Sequence, residues 1–275
     1  MRAAIWPAVL LAVCLKISPV LAETALSDPL NSVVWEYVHE QLLNGEPVVF
    51  DDRVRVFAPN VVEDGRLVPV SVRADGLEDV RQILVLGDLN PIPRAVLLEP
   101  LQARPFIALR MKVNEGTAIR AAVKTGDGVW HLGGTVVQAP GGGCAAPRLV
   151  ADGGNWEDHL GEVRARAWRT TDGSDRLRLL IHHPMDTGLV DNIPEFYLDR
   201  LTITNGAGEE VARLQAWSAL STNPVLTLEI APGGVTPPGT AYTVRGADSD
   251  ANEILARIPA PTQTMPPPPL QETTR

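Results

Sequence analysis

The sequence predicts an all-β fold built from two immunoglobulin-like β-sandwich domains, the first of which carries an N-terminal helix. Apolar residues alternate with polar ones over many short runs, and turn signals rich in glycine, proline, asparagine and aspartate separate these runs. A glycine-rich stretch around Cys144 interrupts the alternation near the middle of the chain. We therefore expect one sandwich over residues 23–140, a Gly-rich arm and linker over 141–158, and a second sandwich over 159–258.

Residues 1–22 have the features of a secretory signal peptide. An apolar run from Ala3 to Leu15 follows a basic residue, and Val20-Leu21-Ala22 offers a small-residue cleavage site. The run is shorter than the roughly 20 apolar residues needed to cross a bilayer. A lipoprotein signal acylated at Cys14 is the alternative, although Val13 is bulkier than the residue expected before a lipidated cysteine. The sequence thus predicts a periplasmic protein without a membrane span.

The charge argues against nucleic acid and against anionic membrane surfaces as partners. Losing Arg2 and Lys16 with the signal takes the net charge from −9 to −11. Such an acidic protein would suit a basic protein partner. Cleavage also removes Cys14, so Cys144 is left as the only cysteine and has no internal disulfide partner.

An amphipathic helix is predicted at the start of the first block. Asp28-Pro29 supplies a side-chain cap followed by proline in the first turn, and Gly45 marks the end of the helix. Between them, apolar residues recur at helical spacing: Val34, Trp35, Val38 and Leu42. One face of this helix is expected to pack on a sheet.

Strands follow the helix, because the apolar period changes to two. In the first block the runs are Val54–Val56, Val68–Val72, Gln82–Leu86, Arg94–Leu98, Pro105–Val113, Ala118–Lys124 and Gly128–Gln138. In the second block the alternation resumes at Val163 and continues to Leu255, which predicts about seven strands. Residues 259–275 are rich in proline and are predicted to form an extended, disordered tail.

The segment His182-His183-Pro184-Met185-Asp186 contains residue types that bind metals. Adjacent residues on a strand point to opposite faces, and the sequence offers no second cluster at a convincing spacing. A strand end followed by a turn is therefore favoured over a metal site, and no cofactor is expected.

The glycine-rich arm consists of Gly141, Gly142, Gly143, Cys144, Ala145 and Ala146. Glycine accepts almost any backbone angle and packs no side chain, so the arm is predicted to be flexible and its thiol to be exposed and reactive. We interpret Cys144 as the residue that carries a cargo covalently.

Two motifs resemble those of a known pair of proteins. His183-Pro184-Met185-Asp186-Thr187-Gly188 resembles the His-Pro-Met-(Glu/Asp)-Thr-Gly signature of SoxZ, and Ala219–Pro224 is similar to the Ser-x-Asn-Pro stretch of that family. The first block is similar to SoxY in its helix, its sandwich, its Asn90-Pro91-x-Pro93-Arg94 segment and its Gly-Gly-Cys arm. The whole chain resembles the fused SoxYZ-like carriers associated with quinoprotein dehydrogenases in methylotrophic bacteria.

The resemblance implies a periplasmic carrier that is not itself an enzyme. Cys144 would hold a small, sulfur-containing group while separate enzymes act on it, as in thiosulfate oxidation. The partners would be periplasmic enzymes of the sulfur-oxidation type or a quinoprotein dehydrogenase, and the two domains would pair within one chain. In contrast to a SoxY arm, which ends with glycines and a free C-terminus, the arm here continues through Ala145-Ala146-Pro147 into a second domain.

Two alternatives remain open. The chain could be an accessory or binding module for a quinoprotein dehydrogenase with no thiol chemistry. It could also be a thiol enzyme, which would require a histidine positioned beside Cys144. His159 is the nearest histidine in sequence, and it falls next to the predicted linker.

Overall fold

The computed structural model describes residues 27–145 and 156–262, and it is an all-β structure with one short helical segment, as the sequence predicts. None of the helices among these residues is long and apolar enough to cross a membrane. The predicted signal peptide, Ala146 and the linker up to residue 155 lie outside the described residues, as does most of the predicted proline-rich tail.

The first block contains the helical segment and eight strands. Helix α1 (Trp35–Tyr37) continues as a π-helical turn over Val38–Leu42. The strands are β1 (Val48–Phe50), β2 (Arg55–Phe57), β3 (Val68–Arg73), β4 (Val80–Gly87), β5 (Arg94–Glu99), β6 (Ala103–Met111), β7 (Thr117–Thr125) and β8 (Trp130–Val137).

The second block begins with a 3-10 turn over Trp156–His159, so residues 156–158 belong to folded structure and not to the predicted linker. Its strands are β9 (Val163–Arg169), β10 (Asp175–Ile181), β11 (Asp186–Thr187), β12 (Glu195–Phe196), β13 (Leu198–Thr204), β14 (Glu210–Ala216), β15 (Val225–Ile230), β16 (Ala241–Asp248) and β17 (Glu253–Pro259). A 3-10 turn at Pro232–Gly234 follows β15. Because β17 includes Pro259, the predicted tail begins slightly too early.

Both large sheets run through the two blocks. A nine-stranded sheet has the order β1-β8-β7-β4-β5-β14-β13-β16-β17, and a six-stranded sheet has the order β2-β3-β6-β15-β10-β9. In the first sheet β5 pairs with β14, so that Leu98 lies opposite Leu214. In the second sheet β6 pairs with β15, so that Ile107 lies opposite Leu228. The two sandwiches therefore join edge to edge.

One continuous apolar core fills the space between the sheets. It includes buried residues of both blocks, such as Val85, Ile107, Leu179 and Val244. The expected pairing of the two domains within one chain thus takes the form of a shared core, because strands of one block pair with strands of the other. A smaller cluster outside the nine-stranded sheet contains Val38, Leu43 and Leu132 and anchors the helical segment.

The predicted helix is shorter than its spacing suggested. Asp28 does not cap it, because its carboxylate accepts the backbone N–H groups of Leu30 and Ser32 in a turn before the helix begins. The same carboxylate contacts the buried guanidinium of Arg120, which also binds Asp88. Burial raises the pKa of Asp28, but hydrogen bonds from Arg120 and from the turn outweigh it and leave the pKa below its usual value. A buried ion network thus fixes the segment before the helix to β7 of the sheet.

Candidate functional site

Cys144 is buried, which corrects the expectation of an exposed thiol. Only 1% of the residue is accessible to solvent. The segment from β8 to Cys144 runs along the end of the first block, where Gln138 forms a parallel bridge with Val61. The arm was predicted to leave its thiol exposed, but it forms a turn that packs on the segment after β6 and on Thr187, and the side chain of Cys144 lies inside.

The glycines of the arm allow a close approach of backbones. Gly142 has a φ of +88° and donates its N–H to Asn114 O at 2.8 Å. At Gly143 an added Cβ would overlap the carbonyl oxygens of Val113 and Gly65. A further hydrogen bond, from Ala145 N to Gly142 O at 3.2 Å, closes the turn. The arm is therefore docked in this structure, and the prediction that Gly141 to Ala145 are flexible is not what it shows.

The surface that receives the arm is itself held by two turns of the first block. Val113 N donates to Gly65 O at 2.7 Å. Asn90, the first residue of the SoxY-like Asn-Pro segment, donates through Nδ2 to Lys112 O and accepts from Asn114 N, at 2.8 and 3.0 Å. Asn90 thus fixes the segment after β6, on which the arm lies.

The SoxZ-like hexapeptide contacts the arm directly. Thr187 Oγ1 donates to Cys144 O at 2.7 Å. Among the other hexapeptide residues, Met185 has a φ of 55° and Gly188 a φ of 72°, so the segment makes two sharp bends. The structure therefore brings together two motifs that lie 43 residues apart in sequence.

The Ser-Thr-Asn-Pro stretch explains how the hexapeptide keeps its bent form. Thr222 Oγ1 donates to Pro184 O at 3.0 Å, and Asn223 Oδ1 accepts from His183 N at 3.0 Å. Asn223 N donates to His183 O at 2.9 Å. The two SoxZ-like motifs thus form one unit.

His183 has a structural place within this unit. Its Nδ1 accepts a hydrogen bond from Met185 N at 3.1 Å, its Nε2 lies 3.6 Å from Asp248 Oδ2, and its ring packs on Phe196 with centroids 4.5 Å apart. His159, the histidine considered for a thiol enzyme, contacts Glu162 and packs near His182. Within the described ranges, no group of three or more His, Cys, Asp or Glu side chains is arranged to hold a metal ion.

Lys112 is the site residue that sequence reasoning missed. Its ammonium group is buried and donates to the carbonyl oxygens of Met185, Ser218 and Leu220 at 2.5, 2.8 and 2.8 Å. All three acceptors belong to the second block, so one side chain of β6's extension fastens the two blocks together beneath the arm. The available signal was weak: a lysine inside an apolar run, in a chain with only three lysines.

Burial and charge together set the protonation states at this site. Burial raises the pKa of the Cys144 thiol to about 11, although the Lys112 ammonium opposes the rise. Burial also lowers the pKa of Lys112 to about 8, and the negative charges of Cys144 and Asp186 oppose that fall. At neutral pH the site therefore holds a neutral thiol beside a cation. A negative charge that developed on the sulfur, or on a group attached to it, would be stabilised by Lys112.

Comparisons with known proteins agree with the two-part organisation. Residues 39–144 match the family model described as sulfur oxidation protein SoxY, and residues 163–251 match that of sulphur oxidation protein SoxZ. The structure of the sulfur carrier protein SoxY from Chlorobium limicola f thiosulfatophilum is similar at 20% identity and a TM-score of 0.35, covering 38% of this chain and 96% of that chain. No curated protein matches the chain. The SoxY match ends at Cys144.

Proposed function

The chain belongs to the SoxYZ carriers of sulfur oxidation, with both parts in one polypeptide, and we propose that Cys144 is the residue on which it carries its cargo. SoxY and SoxZ are non-catalytic carrier proteins. The observation that carries the proposal is the position of Cys144. It ends the SoxY match, it is under the electrostatic influence of Lys112, and its carbonyl oxygen accepts a hydrogen bond from the hexapeptide residue Thr187.

Loading would join the Cys144 sulfur to a sulfur atom of the cargo. For a cargo anion R–S⁻, the cysteine loses its proton, a sulfur–sulfur bond forms, and two electrons pass to an acceptor in the partner enzyme. The positive charge that Lys112 carries at neutral pH supports a cargo whose group R is itself anionic, since it would offset the charge that R keeps in the adduct when the arm is docked. The hydrogen bonds of the arm then hold the loaded group away from other thiols.

We also propose that the protein works in the periplasm after removal of residues 1–22. Its partners there would be enzymes of the sulfur-oxidation type or a quinoprotein dehydrogenase. The pairing of β5 with β14 and of β6 with β15 supports an intramolecular SoxYZ pair, in which the two parts need no encounter in solution.

Intact mass analysis of the protein from its native periplasm tests these points together. The expected mass is that of residues 23–275 plus an adduct that maps to the peptide containing Cys144. The Cys144→Ser protein, produced in the same cells, should have no adduct. A native protein that remains without an adduct during growth on reduced sulfur compounds would refute the carrier function.

One observation favours a second candidate. A thiol that is buried and has a pKa of about 11 is poorly suited to reaction. An unreactive thiol is compatible with an accessory module, because such a module needs no thiol chemistry. The two functions differ in one measurement. A Cys144→Ser strain should fail to grow on the relevant substrate if the protein is a carrier, and should grow like the wild type if it is an accessory module.

A further inference from the structure

The outer face of the six-stranded sheet is strongly basic in a chain that is acidic as a whole. Its exposed arginines are Arg55, Arg110, Arg164, Arg166 and Arg178, which we call the arginine face. The net charge of the whole chain is −9. Positive charge is therefore concentrated on one surface against the overall balance.

Strand register explains why these side chains share a surface. Arg178 lies opposite Arg166 on one side and opposite Thr227 on the other, and Thr227 lies opposite Ala108. Side chains alternate between the two faces of a strand, and the intervening residues Leu177 and Leu179 are buried in the core. The arginines consequently project from the opposite face, away from the core.

Most of this positive charge has no acidic partner within the described structure. Arg55, Arg110 and Arg178 take part in none of the ion pairs found among the described residues, whereas Arg164 has Glu162, just before β9, as an acidic neighbour. The acidic side chain on this face of the strands is Glu229. It is already shared between Arg73 and Arg176. A face of this kind leaves several guanidinium groups available to a partner.

The arginine face ends beside the candidate site. Arg110 is two residues before Lys112, and β10 ends at Ile181, two residues before His183. Strands β6 and β10 both pair antiparallel with β15, so they run in the same direction and end at the same edge of the sheet. A molecule bound on the arginine face would therefore lie next to the arm.

We propose that an acidic surface of the partner enzyme docks on the arginine face and is thereby placed beside Cys144. This inference rests on the carrier function proposed above. Arginine fits a protein partner, because its planar group binds carboxylates through two parallel hydrogen bonds and is enriched at protein interfaces. Phe57, which is 53% exposed and lies in the same row as Arg178, adds an apolar contact of the kind found in such interfaces.

The test is the rate at which Cys144 is loaded in native periplasmic extract supplied with thiosulfate, followed by intact mass. The variant is the full chain with Arg110→Glu and Arg178→Glu. The matched control carries Arg245→Glu and Arg257→Glu, which change the charge equally on the exposed side of β16 and β17. Because electrostatic steering raises association rates by about 10-fold or more, we expect loading of the variant to fall about tenfold at low salt while the control stays near the wild type.

Added salt should reduce this difference, since the Debye length shrinks to about 3 Å at 1 M. Equal loading rates of variant and control would overturn the docking surface while leaving the carrier function intact. Binding of the wild type, but not the variant, to phosphatidylglycerol vesicles would overturn the assignment of a protein partner.

If even the wild type is never loaded with cargo, the carrier function is refuted. The docking surface is then tested by whether the protein forms a complex through the arginine face. The full chain with Cys144→Ser is then analysed by size in the same extract. The inference is supported by a complex with an acidic protein that dissociates in salt and that does not form when Arg110 and Arg178 are changed to glutamate. A complex that survives the reversals, or the lack of any complex, contradicts it.

Discussion

Labelling of Cys144 by a maleimide should be slow, and should become faster when one hydrogen bond to the arm is removed. The change is Thr187→Val, which keeps the shape of the side chain but deletes the donor to Cys144 O. Because the thiol is buried, reagent can reach it only when the arm leaves its position. The labelling rate of the wild type therefore reports how often the arm opens.

The size of the effect follows from the contacts. For the described part of the arm, Gly141 to Ala145, two hydrogen bonds join it to the rest of the described protein, Gly142 N to Asn114 O and Thr187 Oγ1 to Cys144 O. At about 1 kcal/mol each, with about 1 kcal/mol more for burying the cysteine, opening costs about 3 kcal/mol. The wild-type thiol should thus react roughly a hundredfold more slowly than the thiol of the unfolded protein. The thiol of Thr187→Val should react about fivefold faster than that of the folded wild type.

The assay is the pseudo-first-order rate of mass increase at pH 7, where the thiol, with its pKa of about 11, stays protonated in the docked arm. Thr243→Val, on β16 opposite Thr204, is the matched control and should label like the wild type. Labelling of the wild type at the rate of a free thiol would mean that the arm is not docked. Labelling that requires global unfolding, with no effect of Thr187→Val, would refute local opening and with it delivery by the arm.

Three further predictions follow from the fold. Because both sheets pass through the two blocks, thermal unfolding should show one transition by calorimetry, and two well-separated transitions would contradict the shared core. Lys112→Met should lower the free energy of unfolding by about 2 kcal/mol, since three buried carbonyls lose a charged donor. The control Lys124→Met should lower it less, because Lys124 is partly exposed. A Lys112→Met protein with the melting temperature of the wild type would show that the lysine does not join the blocks. Asp28→Asn should cost about 3 kcal/mol at pH 7 because it breaks the buried ion network. Because the native pKa of Asp28 is lowered, its contribution to the free energy of unfolding is present above about pH 4 and is lost as the pH falls through the native pKa. The melting temperatures of the two proteins should therefore converge in acid. A difference in melting temperature that does not change with pH would refute the assignment.

The sequence was sufficient to predict the β class, most strand positions and the two family motifs. Apolar runs separated by turn signals locate the strands, and the runs from Arg94 to Leu98 and from Ala118 to Lys124 became β5 and β7. Alternation identifies the core-facing residues in β10, whereas β7 is buried along nearly its whole length. Alternation does not identify which strands are neighbours. The pairing of β5 with β14 joins segments from different predicted domains, and nothing in the alternation of either strand indicates that partner.

The site was harder to predict for a related reason. Consecutive glycines are compatible with a mobile arm and equally with a segment packed where a Cβ has no room, as at Gly143. The choice depends on the carbonyls of Gly65 and Val113, which are distant in sequence. Lys112 could not be predicted as a site residue because a lysine is normally solvated. Its three acceptors are backbone carbonyl oxygens, which every residue type has, so the sequence does not indicate them.

The continuous sheets have a consequence for how the polypeptide folds. Strands β5 and β6 each need a strand of the second block to complete their hydrogen bonding. A chain synthesised only as far as Cys144 therefore exposes two unpaired strand edges. Pairing segments so far apart in sequence is slow, and open edges invite aggregation while it proceeds. We therefore expect refolding at high protein concentration to lose yield to aggregation, and holdase chaperones to improve recovery by shielding the first block until the second arrives.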